Sequence, residues 1–385
     1  MRRTRQGGTD LEQTIIEETL SRIESKIERL IEHAGSSYPD HAGPDGIYKF
    51  RQADWWTSGF FPGMLWILYD LTGRERFKAA AWGRDADIAG WFGRPTVELN
   101  HDVGFQFLPT AVIKHTLTGD GEALRHGLTA ANFLASRFHP AGGFIRAWNL
   151  GPDGQPRPGW AIVDCLMNLP LLFWASGVSG DPRYKQMAVI HADTILKHGL
   201  REDGSVSHIC SFDPESGHFI ETLGGQGAAP DSAWSRGTAW ALYGYALVYR
   251  ATGESRYLHA AKRAAHYFLA ALPEDGVPYW DFRLVRREGE PRDTSAAVIA
   301  ASGLLELAES VPDPERRLYE DASKRLLRVL TGAWTTWNDD SHQALLTGAT
   351  GNRPLGHHVD FSLIFGDYFY LEAFAKLAGW KHRIF

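Results

Sequence analysis

The sequence predicts an all-α protein, a single (α/α)6 barrel of six helical hairpins spanning residues 1–385. The first observation is a recurring phrase: LYDLTGRERF at 68–77, HTLTGDGEAL at 115–124, WASGVSGDPRY at 174–184, VYRATGESRY at 248–257 and LAESVPDPERR at 307–317. Each copy reads as a helix end, a tight turn and a helix start. Gly in four copies suits the left-handed position past a helix C-terminus, and Asp or Ser nearby can cap the next helix. The second observation is helical spacing of apolar residues on either side of each turn. The third is that longer Gly- and Pro-rich connections alternate with the short ones.

In chain order, helices are predicted over 10–34, 57–72, 75–92, 104–118, 121–137, 163–177, 182–198, 233–252, 255–270, 293–309, 313–331 and 361–378. The stretches 57–72, 104–118, 163–177, 233–252, 293–309 and 361–378 carry few charges, as an inner ring covered by other helices requires. By contrast, 10–34 and 313–331 are charge-rich and belong outside. The connections 94–103, 139–162, 199–232, 271–292 and 332–360 exceed ordinary loop lengths, which points to function there. If the inner helices run in one direction, their N-termini and these connections gather at one mouth. Helix dipoles there favour an anion.

Composition narrows the function classes. A chain of 385 residues, 44% hydrophobic and 22% charged, is neither disordered nor collagen-like. Lys and Arg number 40 against 46 Asp and Glu, a net charge of −6 with no long basic block, so no nucleic-acid partner is expected. No stretch approaches a membrane span, and the N-terminal MRRTRQGGTDLEQ lacks the apolar run of a secretory signal. Cys165 and Cys210 are too few for a disulfide framework or a closed zinc site, so a cytoplasmic protein is expected. The 14 Trp suit either a bulky helical core or a groove that stacks flat rings.

The predicted inner-helix starts carry Asp54, Asp102, Asp164, Arg236, Asp293 and Asp360. Taken singly, each acid is first a helix cap; their convergence at one mouth argues for chemistry. Asp164 lies between Ile162-Val163 and Cys165-Leu166-Met167, where desolvation raises a carboxyl pKa. With Asp102 approaching from the preceding inner helix, the two resemble a carboxyl pair that protonates one atom and activates a water, although caps sharing a polar cluster would read the same. His101 and His208 have no HxxxH or CxxC partner, so hydrogen bonding rather than metal ligation is expected and no metal is predicted. Cys165 reads as a small buried hydrophobe. Arg236 and Trp240 share a helix face at i, i+4, where a guanidinium can take a carboxylate and an indole can stack a ring, or simply pack in the core. Gln226 lies in the Gly224-Gly225-Gln226-Gly227 loop before them.

The phrases WWTSGFFPGMLW, HDVGF, VDCLMNLPLL, AWSRGTAWALYGY and FGDYFYLEA, in order from about residue 50 to 378, resemble the unsaturated glucuronyl hydrolases of glycoside hydrolase family 88. The resemblance implies the same barrel and a hydrolase without a cofactor. Its substrate would be a di- or oligosaccharide ending in a 4,5-unsaturated uronic acid, of glycosaminoglycan type, bound by a monomer or weak homodimer. The related unsaturated rhamnogalacturonyl hydrolases and a catalytically silent sugar-binding barrel are the alternatives. By the resemblance, Asp164 is general acid and base and Asp102 supports it. His208, Gln226 and Arg236 surround the uronate, with His101 beside them, and Trp56, Trp148, Trp234 and Trp240 line the sugar path. The segment 347–358, with one Arg and two His, precedes the last inner helix, where it can reach the leaving sugar and any sulfate. Trp66, Trp82, Trp91, Trp174 and Trp380 are expected mostly to pack.

Overall fold

The computed structural model describes the backbone of residues 3–385 and the side chains from residue 13 onward. Six inner elements form the ring: α2 (Phe60–Thr72), α5 (Val103–Phe107) continuing into α6 (Ile113–Thr118), α8 (Leu169–Ser179), α10 (Ser235–Thr252), α12 (Thr294–Ser310) and α14 (Ile364–Leu377). Their outer partners are α1 (Arg3–Ala34), α3 (Glu75–Ala81) with α4 (Arg84–Ala89), α7 (Gly121–Ser136), α9 (Pro182–His198), α11 (Ser255–Ala271) and α13 (Asp313–Ala333). Each inner helix packs on the next and α14 returns to α2, while α1 lies on α14. The first and last helices therefore complete the sixth pair, a contact that no local signal announces.

The hairpin turns follow the recurring phrase. Gly73, Gly119, Gly180 and Gly253 close α2, α6, α8 and α10 with φ of 67°, 70°, 72° and 71°, the left-handed cap that L side chains adopt at a cost. Asp120 and Asp181 then cap α7 and α9 through the backbone N–H groups of Ala123 and Arg183. Outer helices are one-sided: α13 buries Tyr319, Ala322, Leu326, Leu327 and Leu330 at helical spacing. Inner helices are buried almost all round, as α12 is from Thr294 to Ala308. Large apolar side chains such as Trp66, Phe60 and Tyr245 are fully enclosed, each contributing about 1.5–3 kcal/mol of transfer free energy.

Several predicted helices are interrupted, and each break has a cause. The stretch 75–92 divides at Trp82-Gly83, where the Arg84 guanidinium turns to take the carbonyls of Gly35, Ser36 and Ser37 at the end of α1. The stretch 104–118 widens into a π turn over Leu108–Val112, because Pro109 has no N–H to give the preceding turn. The stretch 163–177 begins as a 3₁₀ turn, Val163–Met167, before α8. Residues 361–363 are strand rather than helix, with Leu363 extended at φ −126° and ψ 130°.

The long connections fold into small antiparallel sheets. Strands β1 (Tyr38–Ala42), β2 (Tyr48–Arg51), β8 (Ala349–Asn352) and β9 (His357–Leu363) form a sheet ordered β2-β1-β9-β8. Strands β3 (Phe138–His139) and β4 (Phe144–Ile145) form a hairpin, and β5 (Trp160–Ile162), β6 (Ile209–Phe212) and β7 (Phe219–Leu223) a third sheet. Pairing of His41 with Leu363 and Ala42 with Ser362 fastens the chain before α2 to the chain before α14. The segment 35–56, absent from the predicted long connections, thereby becomes part of the mouth.

Gly303 of α12 has no room for a side chain: a Cβ there would lie 2.5 Å from Leu242 Cδ2 and 2.8 Å from Tyr243 Cβ on α10. Gly177 of α8 is exposed with nothing within 4 Å of that position. Gly303→Ala is expected to cost about 1–3 kcal/mol through overpacking, and Gly177→Ala to stabilise by up to about 1 kcal/mol through helix propensity. Urea unfolding of the two variants beside the parent checks both signs.

Candidate active site

The inner helices open onto a cavity of about 530 Å³ at their N-terminal ends. It is lined by Asp102 and Asp164 with Trp56, Trp148, Gln226, Trp234, Arg236 and Trp240, and also by Asp40, Arg51, Trp55 and His358 among others. Of the residues at inner-helix starts, only Asp293 caps its helix, accepting from the N–H groups of Ser295 and Ala296. Asp102 precedes α5 without a side-chain cap bond, and Asp164 sits inside the 3₁₀ turn. Both carboxyls therefore face the cavity instead of the backbone.

Burial dominates their electrostatics. Asp164 leaves 16% of its side chain exposed, and desolvation pushes its pKa up to about 7 against the opposing charge of Arg236. Desolvation, and then the charge of Asp164, push Asp102 well above the ordinary carboxylate range. Two such groups cannot both ionise cheaply, so near neutrality the pair keeps a proton. A neutral histidine stands behind each: His101 Nε2 is 3.5 Å from Asp102 Oδ1, and His208 Nε2 is 3.6 Å from Asp164 Oδ1. Burial pushes the His208 pKa down to about 3 and that of His101 well below its usual value. His208 Nδ1 accepts from the N–H of Gln226 at 2.8 Å, which leaves the ring proton on Nε2, facing Asp164. Neither imidazole lines the cavity, so both back the acids rather than meet a ligand.

Arg236 departs from expectation. Its Nη1 donates to Asp293 Oδ2 and Thr350 O, both at 2.6 Å, and its Nη2 to Gln226 Oε1 at 2.9 Å and to Gly351 O. The fork predicted to grip a ligand carboxylate is already occupied by β8 and the start of α12, and the residue is 4% exposed. Gln226 spends its side-chain oxygen on this guanidinium while still lining the cavity.

The tryptophans divide differently from expectation. Trp240 is 1% exposed and wedged against Phe105 and Phe369, so it is cavity floor rather than a stacking face. Trp234, 3% exposed, has His208 at 4.5 Å and the Arg236 guanidinium at 4.5 Å over its ring. Trp56 and Trp148 remain half-buried on the cavity wall, where a ring can reach them. Among the five expected to pack, Trp66 and Trp380 are buried, whereas Trp82 is exposed and covered by Lys114 and Lys78. Cys165 is buried as predicted.

Asp40, Arg51, Trp55 and Asn149 were not found from the sequence. Trp55 opens the phrase WWTSGFF and Arg51 lies four residues before it, but nothing local places 40–51 at the mouth; the β1–β9 pairing does. Among the described residues, no group of three or more His, Cys, Asp or Glu is arranged to hold a metal ion.

A helical barrel whose mouth encloses two buried carboxyls of raised pKa among aromatic walls is an architecture that suits a glycoside hydrolase. The family model Glycosyl Hydrolase Family 88 matches residues 27–368, and the chain belongs to that family. It is 37% identical to the unsaturated glucuronyl hydrolase of Bacillus sp. (strain GL1), over 91% of this chain and 93% of that one. It is 34% identical to the unsaturated chondroitin disaccharide hydrolase of Streptococcus pyogenes serotype M1, over 95% and 92%. The crystal structure of the Bacillus sp. GL1 enzyme superposes with a TM-score of 0.90 at 35% identity, covering 94% of this chain and 96% of that chain. A Streptococcus agalactiae unsaturated glucuronyl hydrolase mutant complexed with dGlcA-GalNAc6S superposes with a TM-score of 0.81 at 32% identity, over 95% and 91%.

The folded-state pKa of Asp164 is raised, so its contribution to stability is fully present below pH 3.8 and is lost as pH climbs through about 7. Asp164→Asn removes that loss. Its melting temperature is therefore expected to exceed the parent's at pH 8 and to match it near pH 3.5, as scanning calorimetry at the two pH values would register.

Proposed function

We propose that the chain removes the 4,5-unsaturated uronic acid from the non-reducing end of lyase-generated oligosaccharides, glycosaminoglycan-type disaccharides first, by hydrating the C4=C5 enol ether. The observation that carries this reading is the Asp102–Asp164 pair, desolvated and holding a proton near neutrality beside half-exposed tryptophans. Protonating an enol ether carbon needs an acid still protonated at working pH. In this reading Asp164 gives its proton to C4, and the double-bond electrons form the new C–H bond. The cation left at C5 is shared with the ring oxygen. Water then adds to C5 and returns a proton to Asp164, so the net change is addition of one water.

The hemiketal opens, yielding a 4-deoxy-5-keto uronate and the freed sugar. The Nε2–H of His208 faces Asp164 and supports its carboxylate once the proton has left, while Asp102 keeps the shared proton available. Trp56 and Trp148 flank the sugar path, and Arg236 acts through Gln226 and its positive charge rather than by direct grip. The carboxylate spacing rule for retaining and inverting enzymes has no bearing, because attack is at C5 of an alkene and not at the anomeric carbon. In this reading the chain acts as a monomer or weak homodimer. The two free buried cysteines suit a cytoplasmic setting; among the described residues, no helix is long and apolar enough to cross a membrane.

Loss of the unsaturated uronate's ultraviolet absorbance on chondroitin or hyaluronan disaccharides is the direct test. Turnover of rhamnogalacturonan fragments instead, or binding with no turnover of any lyase product, would reject the reading. Asp164→Asn is expected to lower kcat by about 10²–10⁴-fold. In the parent, kcat/KM should fall as pH rises through about 7, where the acid loses its proton. Turnover in deuterium oxide should place label at C4, read by NMR of the product.

A further inference from the structure

One wall of the cavity is organised around a carboxylate that the proposed reaction does not use. Asp40 is buried on β1, and four side chains donate to it. Its Oδ1 accepts from Trp55 Nε1 at 3.0 Å and Thr57 Oγ1 at 2.8 Å, and its Oδ2 from His41 Nδ1 at 2.8 Å and Arg51 Nε at 3.3 Å. His41 in turn stacks on His358 with ring centroids 3.7 Å apart. His358 and Asp360 hold left-handed backbone at φ 50° and 60°, a conformation unfavourable in side-chain-bearing residues that clusters at ligand sites. One carboxylate thus orients side chains from β1, β2, the turn before α2 and, through the stack, β9.

The product of this arrangement is a platform. The Arg51 guanidinium lies 4.8 Å over the Trp55 ring, its side chain is 42% exposed, and only its Nε is engaged, by Asp40. Both terminal amino groups therefore keep donors for a ligand, in contrast to those of Arg236. The platform lines the same cavity as the acid pair, so a sugar beyond the reacting ring has this wall to lie against. Its charge is not free for an anion: Asp40 and Glu98 line the same wall, and Arg353 is engaged by Glu290 at 3.3 Å.

We infer that Asp40, Arg51, Trp55 and His358 form a leaving-sugar subsite that selects a pyranose without an acidic substituent, Arg51 donating to its neutral oxygens and Trp55 packing on its ring. This rests on the proposed hydrolysis and names the specificity determinants of the same site. Arg51 and Trp55 contact the leaving sugar here, whereas Asp40 is a positioning residue.

The test uses three substrates sharing the unsaturated uronate: its methyl glycoside, which has no leaving ring, the unsulfated N-acetylhexosamine disaccharide, and the 6-sulfated disaccharide. For the wild-type protein, kcat/KM on the unsulfated disaccharide should exceed that on the sulfated one by about tenfold or more. Arg51→Gln, at a half-exposed position, should lower the ratio of kcat/KM for the unsulfated disaccharide over the methyl glycoside by about tenfold, through KM. Asp40→Asn should lower the same ratio, with circular dichroism reporting that the barrel remains folded. Turnover of all three substrates with an unchanged ratio in Arg51→Gln, or preference for the sulfated disaccharide, overturns the subsite alone. Turnover of none overturns the hydrolysis reading and the subsite with it.

Discussion

The buried ion pair between Arg236 and Asp293 holds the mouth of this barrel together. Asp293 is fully enclosed, caps α12 and accepts the Thr350 N–H, while Arg236 binds β8 carbonyls and Gln226. Three segments distant in sequence, 226–236, 293–296 and 350–351, meet at these two side chains. Removing one partner of such a pair strands a charge in a low-dielectric site, at a cost of about 3–5 kcal/mol. The same saturation explains why Arg236 shapes the site without gripping a ligand: its donors were committed when the mouth closed.

That commitment sets the electrostatics of the acid pair. With Arg236 compensated and both nearby imidazoles neutral through burial, little positive charge remains to draw the protons from Asp102 and Asp164. The carboxyls keep a proton where solvated aspartates would not. A second buried network at the opposite ends of the inner helices behaves differently. Lys376 there meets Glu372 at 3.5 Å and Glu306 at 3.8 Å, and Arg250 meets Glu306 at 2.7 Å. Cations at helix C-termini and anions at hand give a balanced structural cluster; at the mouth, Asp102 and Asp164 have only the neutral His101 and His208 at ion-pair distance.

The hairpin turns, the charge-poor inner helices and the two acids were legible from spacing and composition, because a left-handed glycine cap and an apolar stripe are local consequences of residue type. The breaks at Gly83 and Pro109 were legible in part: the glycine and proline stand in the sequence, but the pull of the α1 carbonyls on Arg84 does not. The roles of Trp234 and Trp240 were not legible. An indole at i, i+4 from an arginine is the same residue whether it faces a ligand or is packed behind a phenylalanine.

Residue order alone determined that this chain makes six helical pairs with Asp102 and Asp164 at inner-helix starts, since helical periodicity and turn chemistry act over a few residues. Tertiary structure decided which acid caps and which faces the cavity, that Arg236 is occupied, and that Asp40 and Arg51 reach the mouth at all. Those outcomes depend on pairings such as β1 with β9 and α1 with α14, which join residues more than 300 positions apart and are set by the closing of the ring.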